Sequence, residues 1–134
     1  MERVPASDLK TILVVDDDPR IVAVVVALLA NGEYNILTAK NGSEALEESR
    51  AFRGDIHVLL SDFQMPQMSS LELANVMTAE RPEVKVLLMS GYDGGMLVLN
   101  AGWHFLAKPF IASQLRALVT GLAFPDRRSA KFSA

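Results

Sequence analysis

Five short apolar runs, each followed by a polar residue and then by sequence suited to a helix or turn, constrain this chain more than any other feature. They are Thr11 to Val15, Tyr34 to Ala39, Ile56 to Leu60, Val84 to Met89 and Trp103 to Ala107. Runs of this length are strand-sized rather than helix-sized, and the first is rich in β-branched residues. Near-continuous apolar character suits strands buried on both faces. Between the runs, Asp18 and Pro19 form a helix start, and Ile21, Val25, Leu28 and Leu29 fall on one helical face. Gly32 is a stop. Asn41-Gly42 reads as a turn, with Ser43 capping a short helix from Glu44 to Arg50. Another helix runs from about Ser70 to Glu80, before Pro82, and Leu115, Leu118, Val119 and Leu122 mark the last. Strand–helix alternation predicts an α/β fold: a five-stranded parallel sheet with helices on both faces and right-handed crossovers.

Composition narrows the function classes. A chain of 134 residues suits one domain, and 50% hydrophobic residues can build a core without covalent staples. There is no cysteine, which excludes disulfides, thiol nucleophiles and zinc–thiolate sites. With a net charge of −3 and no long basic run, direct nucleic-acid binding is not expected. The apolar stretch Ile21 to Ala30 is too short to span a bilayer, so no membrane association is expected, and the expected location is the cytoplasm. Residues 1–9 read as an N-terminal leader, 10–124 as the domain and 125–134 as a small, mildly basic tail.

The polar residues at the strand ends carry the functional argument. The first run stops at Asp16 and Asp17, the third at Ser61-Asp62, the fourth at Ser90 and the fifth at Lys108. In a parallel sheet all strand C-termini lie along one edge, where ligands bind. Asp16, Asp17, Asp62, Ser90 and Lys108 therefore converge. Crowded carboxylates repel and call for a cation. With no histidine or thiol at these ends, a hard, oxygen-loving ion is expected, and Mg²⁺ fits. A carboxylate beside Mg²⁺ can attack phosphorus to give an aspartyl phosphate. That step needs positioning and charge neutralisation, which Lys108 and the Ser90 hydroxyl can supply.

Four blocks carry a family resemblance: Val14-Val-Asp-Asp17; Asp62-Phe-Gln-Met-Pro66-Gln-Met68 with Leu71-Glu-Leu73; Met89-Ser-Gly91; and Phe105-Leu-Ala-Lys-Pro-Phe110. Together they resemble the signature blocks of response-regulator receivers of two-component signalling, over roughly residues 10–124. The resemblance implies the flavodoxin-like strand order 2-1-3-4-5. It implies that Asp62 accepts a phosphoryl group from a phosphohistidine of a sensor histidine kinase or histidine phosphotransfer protein, then loses it by autodephosphorylation. It makes Asp17 a direct Mg²⁺ ligand, Asp16 a ligand through water and the Gln64 backbone carbonyl a further ligand. Ser90 and Phe105 become the switch pair and Lys108 the phosphoryl contact, with a cis Lys108-Pro109 bond. Such a chain is a stand-alone regulator, or a receiver cut from a larger regulator or hybrid kinase, acting on a downstream protein.

Two departures stand out. Many receivers carry Asp-Gly where this chain has Ser69-Ser70, so a strained or reshaped loop is expected after Asp62. Between Ser90 and Lys108, Gly91, Gly94, Gly95 and Gly102 leave only Met96 to Ala101 for a fourth helix, which is expected to be short or irregular.

Plainer readings compete. An Asp triplet before a helix ordinarily caps it, and Asp18 reads that way. Phe105 could simply pack the core. His57 and His104 read as strand residues with satisfied hydrogen bonds. Val22 and Val26 form an apolar pair off the inward face of the first helix, with Val24 flanking that face. They either meet a partner helix, as this helix does in receivers, or cover the sheet edge. A Mg²⁺-dependent aspartyl-phosphate phosphatase would carry an acid where this chain has Gln64. A phosphorylation-independent interaction domain would not need Asp17, Asp62, Ser90 and Lys108 together. The expected role is a phosphoacceptor switch, not an enzyme acting on a separate substrate.

Overall fold

The computed structural model describes residues 9–30, 32–62, 69–90, 103–107 and 110–124, with only the backbone of Ser90. Gln64, Lys108, Pro109, both loop methionines Met65 and Met68, the glycine-interrupted segment and the terminal stretches of the leader and tail lie outside these residues.

The elements run β1 (Lys10–Val15), α1 (Pro19–Leu29), β2 (Tyr34–Ala39), α2 (Gly42–Ala51), β3 (Val58–Asp62), α3 (Ser70–Glu80), β4 (Lys85–Ser90), β5 (Trp103–Ala107) and α4 (Ala112–Ala123). All strand pairs are parallel, in the order β2-β1-β3-β4-β5, as expected. β3 begins and ends two residues later than the sequence suggests. Ser61 and Asp62 are its last residues, because Ser61 pairs with Val15 on one side and Asp62 with Met89 on the other.

Strand alternation sorts the core into two faces. Ile12, Val14, Val58, Leu60, Leu87 and Met89 face α1 and α4, meeting Val25, Leu29, Leu115 and Val119. Leu13, Val15, Leu59, Val86 and Leu88 face α2 and α3, meeting Leu46, Leu73 and Met77. Each fully buried Leu contributes roughly 1.5–3 kcal/mol relative to an exposed one, so these two layers hold the sheet edge in place.

Capping sets where the helices start. Asp18 caps α1, its Oδ1 accepting from the Arg20 N–H at 2.9 Å. Asn41, not Ser43, caps α2, accepting from the Glu44 N–H at 2.7 Å, so the expected Asn-Gly turn is the first step of the helix. Ser69 caps α3 in a reciprocal box with Glu72. Among the described residues no non-glycine residue has positive φ, and Ser69 sits at −64°. The Ser69-Ser70 departure is thus a helix start at no backbone cost where it is described. Ser70 is fully buried behind that cap.

Arg81 closes α3 on its other end. Its guanidinium donates to Ser49 Oγ and to the carbonyls of Ser49, Phe52 and Gly54, at 2.8–2.9 Å. Those carbonyls belong to the last turn of α2 and the turn after it, which a helix end leaves without partners.

Candidate functional site

Asp16 and Asp17 follow β1 directly, and Asp62 ends the neighbouring β3. One carboxylate oxygen from each of the three lies within 4.8 Å of the others. Asp16 and Asp62 are 2% and 7% exposed, while Asp17 opens to solvent. The backbone fixes Asp16 twice. Its N–H donates to the Ala39 carbonyl at 3.2 Å, and its Oδ1 accepts from the Asp18 N–H at 2.9 Å. The sequence triplet is thereby split. Asp18 turns to Arg20, with an ion pair at 3.1 Å, and the Arg20 side-chain hydrogen bond holds its carboxyl below the usual carboxylate range. Only Asp16 and Asp17 remain to join Asp62.

This donor set is hard oxygen throughout, with no nitrogen or sulfur in the cluster. It suits Mg²⁺, which binds through few carboxylates and completes its shell from phosphate and water. Beside it lies a cavity of about 260 Å³ between the β1–α1 turn, the end of β2 and the start of α2. Its walls include Pro19, Val22, Thr38, Lys40 and Glu44. Thr38, Lys40 and Glu44 carry no sequence signature of this site, because nothing in their types or spacing ties them to the aspartates.

The remaining expected residues are placed less completely. Ser90 ends β4, paired with Ala107 of β5. Phe105 is half-buried and packs on the α2–α3 core face, as the packing reading allowed. On α1, Val25 and Leu29 are buried, and Ile21, Val22 and Leu28 pack beside them. Val22 and Val26 are half-buried, and the outward strip is Ala23, Val24 and Ala27, with Val24 51% exposed. The expected inward face of Ile21, Val25, Leu28 and Leu29 is the one that packs, and only Val24, expected beside it, lies elsewhere. With Val22 packed on the α1–α4 core face, Val24 is turned to solvent. His57 Nδ1 accepts from the Thr11 N–H at 3.0 Å, so its bond is satisfied as expected, although the residue lies just before β3 rather than within it.

Comparison with known proteins agrees with this geometry. Residues 12–120 match the response regulator receiver domain model. The probable transcriptional regulatory protein TcrX of Mycobacterium tuberculosis is 36% identical over 126 residues, covering 87% of this chain and 53% of its own length. The sensor kinase CckA of Brucella abortus is 31% identical, covering 81% of this chain and 12% of its own length. Among solved structures, the response regulator TrrA of Thermotoga maritima, in complex with Mg²⁺ and BeF, superposes with a TM-score of 0.75 at 30% identity. It covers 85% of this chain and 99% of that one. A CheY-like receiver from Methanospirillum hungatei gives 0.78 at 26% identity, covering 90% and 98%.

The chain belongs to the response regulator receiver domain family. It is a phosphorylation-dependent switch module of the two-component type, and it spans about half the length of TcrX and far less of CckA.

Proposed function

We propose that Asp62 is the phosphoacceptor, taking its phosphoryl group from a phosphohistidine of a sensor histidine kinase or a histidine phosphotransfer protein. The observation that carries this reading is the meeting of Asp16, Asp17 and Asp62 at one sheet edge, with Asp62 on the central strand. A carboxylate oxygen of Asp62 forms the new P–O bond as the donor's P–N bond breaks. The imidazole leaves with the electron pair and takes a proton from solvent. Hydrolysis later breaks the O–P bond, returning the carboxylate and releasing phosphate. Asp17 and Asp16 would hold Mg²⁺, the first directly and the second through water, and the Gln64 carbonyl would add a ligand. The bound ion would neutralise the carboxylates and the phosphoryl oxygens. Lys108 pairs with a phosphoryl oxygen, and Ser90 with Phe105 forms the switch.

The receiver occupies residues 10–124, between a leader at 1–9 and a tail at 125–134. It works as a switch rather than on separate substrates, in the cytoplasm, and its output is a protein contact. The phosphohistidine partner docks on α1, at the strip that Val22 and Val26 flank and Val24 crowns. The test is labelling by a small acyl phosphate with and without Mg²⁺. One phosphoryl group per chain, lost on chelation and in Asp62→Asn, supports the reading. Metal-independent labelling contradicts it.

A further inference from the structure

Ser61 stands immediately before Asp62 and is fully buried. Its lateral neighbours in the sheet are Val15 of β1 and Leu88 of β4. Both are fully buried members of the core beneath α2 and α3, the face on which strand alternation also places Ser61. A hydroxyl among such neighbours is a liability unless it is bonded. An alanine or valine would suit the packing alone. The hydroxyl finds its partner in the main chain of the next residue: Ser61 Oγ donates to the Asp62 carbonyl at 3.1 Å.

That carbonyl marks the point where β3 ends. The pairing of Asp62 with Met89 ties this end of the strand to β4 from the side. The serine supplies a restraint on this carbonyl from within the core. The carboxylate of Asp62 hangs from the same α-carbon, on the opposite face. Holding the carbonyl therefore steadies the α-carbon from which the carboxylate projects. Transfer to a carboxylate depends on in-line approach to phosphorus, and angular looseness in a nucleophile is costly there.

We infer that Ser61 is a positioning residue for phosphoryl transfer, holding the main chain of the phosphoacceptor through its hydroxyl. The inference rests on Asp62 being the acceptor. Ser61 touches neither donor nor metal, so its loss acts on the rate at saturation more than on binding.

Thr and Val at position 61 test this, since they match in shape and differ in the hydroxyl. Labelling rates with a small acyl phosphate are measured at saturating donor and Mg²⁺, alongside Mg²⁺ titration and thermal melting. Ser61→Val and Ser61→Ala are expected to label about tenfold more slowly, with half-saturating donor and Mg²⁺ concentrations within about twofold of the parent. Ser61→Thr is expected to recover most of the rate. Equal rates for Val and Thr would overturn the inference, as would a parent-like rate in Ser61→Ala. If the larger pair does not fold, Ser61→Ala decides alone, because the smaller side chain fits: a slow rate at unchanged half-saturation supports the role. Failure of the acceptor assignment shows separately, as labelling that persists in Asp62→Asn.

Discussion

At the scale of single residues, three adjacent aspartates have different roles because the backbone assigns them different partners. Asp18 is spent on capping and on Arg20, and Asp16 is held by two backbone bonds. Asp17 alone of the three is exposed to solvent. Asp17→Asn is therefore expected to weaken Mg²⁺ binding more than Asp16→Asn does, by roughly tenfold against a few-fold, in a direct calorimetric titration. Equal or reversed losses would remove the direct-ligand role of Asp17. The exposed valine on α1 gives a second expectation. Val24→Glu should slow transfer from the cognate phosphohistidine protein while leaving small-donor labelling and melting temperature unchanged, since a half-exposed side chain contributes little to the core. Unchanged transfer would take docking away from this strip. The two carboxylate ends of the site were legible in the sequence, because their types and positions after strands are distinctive. Ser61 was not, because a serine before an aspartate has no signature until its burial is known.

At the scale of elements, helix starts were legible to within a residue or two, and their errors have one cause. Several residues at a start can cap, and only geometry selects among them, as Asn41 over Ser43 shows. The inward face of α1 was legible, but the side on which Val24 lies was not, for a related reason. Nearly every residue from Ile21 to Leu29 is apolar, so periodicity alone left its outward face undecided. The Arg81 clamp was not legible, since it joins residues about thirty positions apart. Arg81→Ala leaves helix-end carbonyls without their donor and is expected to cost roughly 2–3 kcal/mol, read as a melting temperature lower by about 5–10 °C. A shift under about 1 °C would show that water replaces the guanidinium. His57 adds a pH dependence at the opposite end of the sheet. Burial first, and then the charge of Lys10, hold its pKa below the ordinary histidine value, against the pull of Asp55 and Glu83. Protonated Nδ1 could no longer accept the Thr11 amide. The unfolded chain therefore binds this proton more readily than the folded one. The stabilisation is complete above the unfolded pKa of about 6.5 and is lost as pH falls toward the folded value. Urea midpoints should drop from pH 7.5 to 5.5 in the parent and drop less in His57→Gln. Parallel pH profiles would contradict this.

At the scale of the molecule, strand order turns scattered residues into a site. β1 and β3 are neighbours although α1, β2 and α2 separate them in sequence, and this adjacency alone brings Asp16 and Asp17 against Asp62. The parallel sheet and its two-sided cover followed from apolar runs alternating with helices. The strand order followed from resemblance rather than from pattern, since alternation allows more than one winding. The cavity beside the aspartates was beyond the sequence, because it forms where β1 and β2 end and α1 and α2 begin. The central claim is that this edge exists to carry phosphate on Asp62, and chemical trapping tests it most directly. An aspartyl phosphate is reduced by borohydride to homoserine, which peptide mass mapping locates. After labelling with a small acyl phosphate and Mg²⁺, homoserine is expected at position 62 and nowhere else, and no trapped product is expected from Asp62→Asn. Homoserine at position 16 or 17, or trapping that survives Asp62→Asn, would contradict the account.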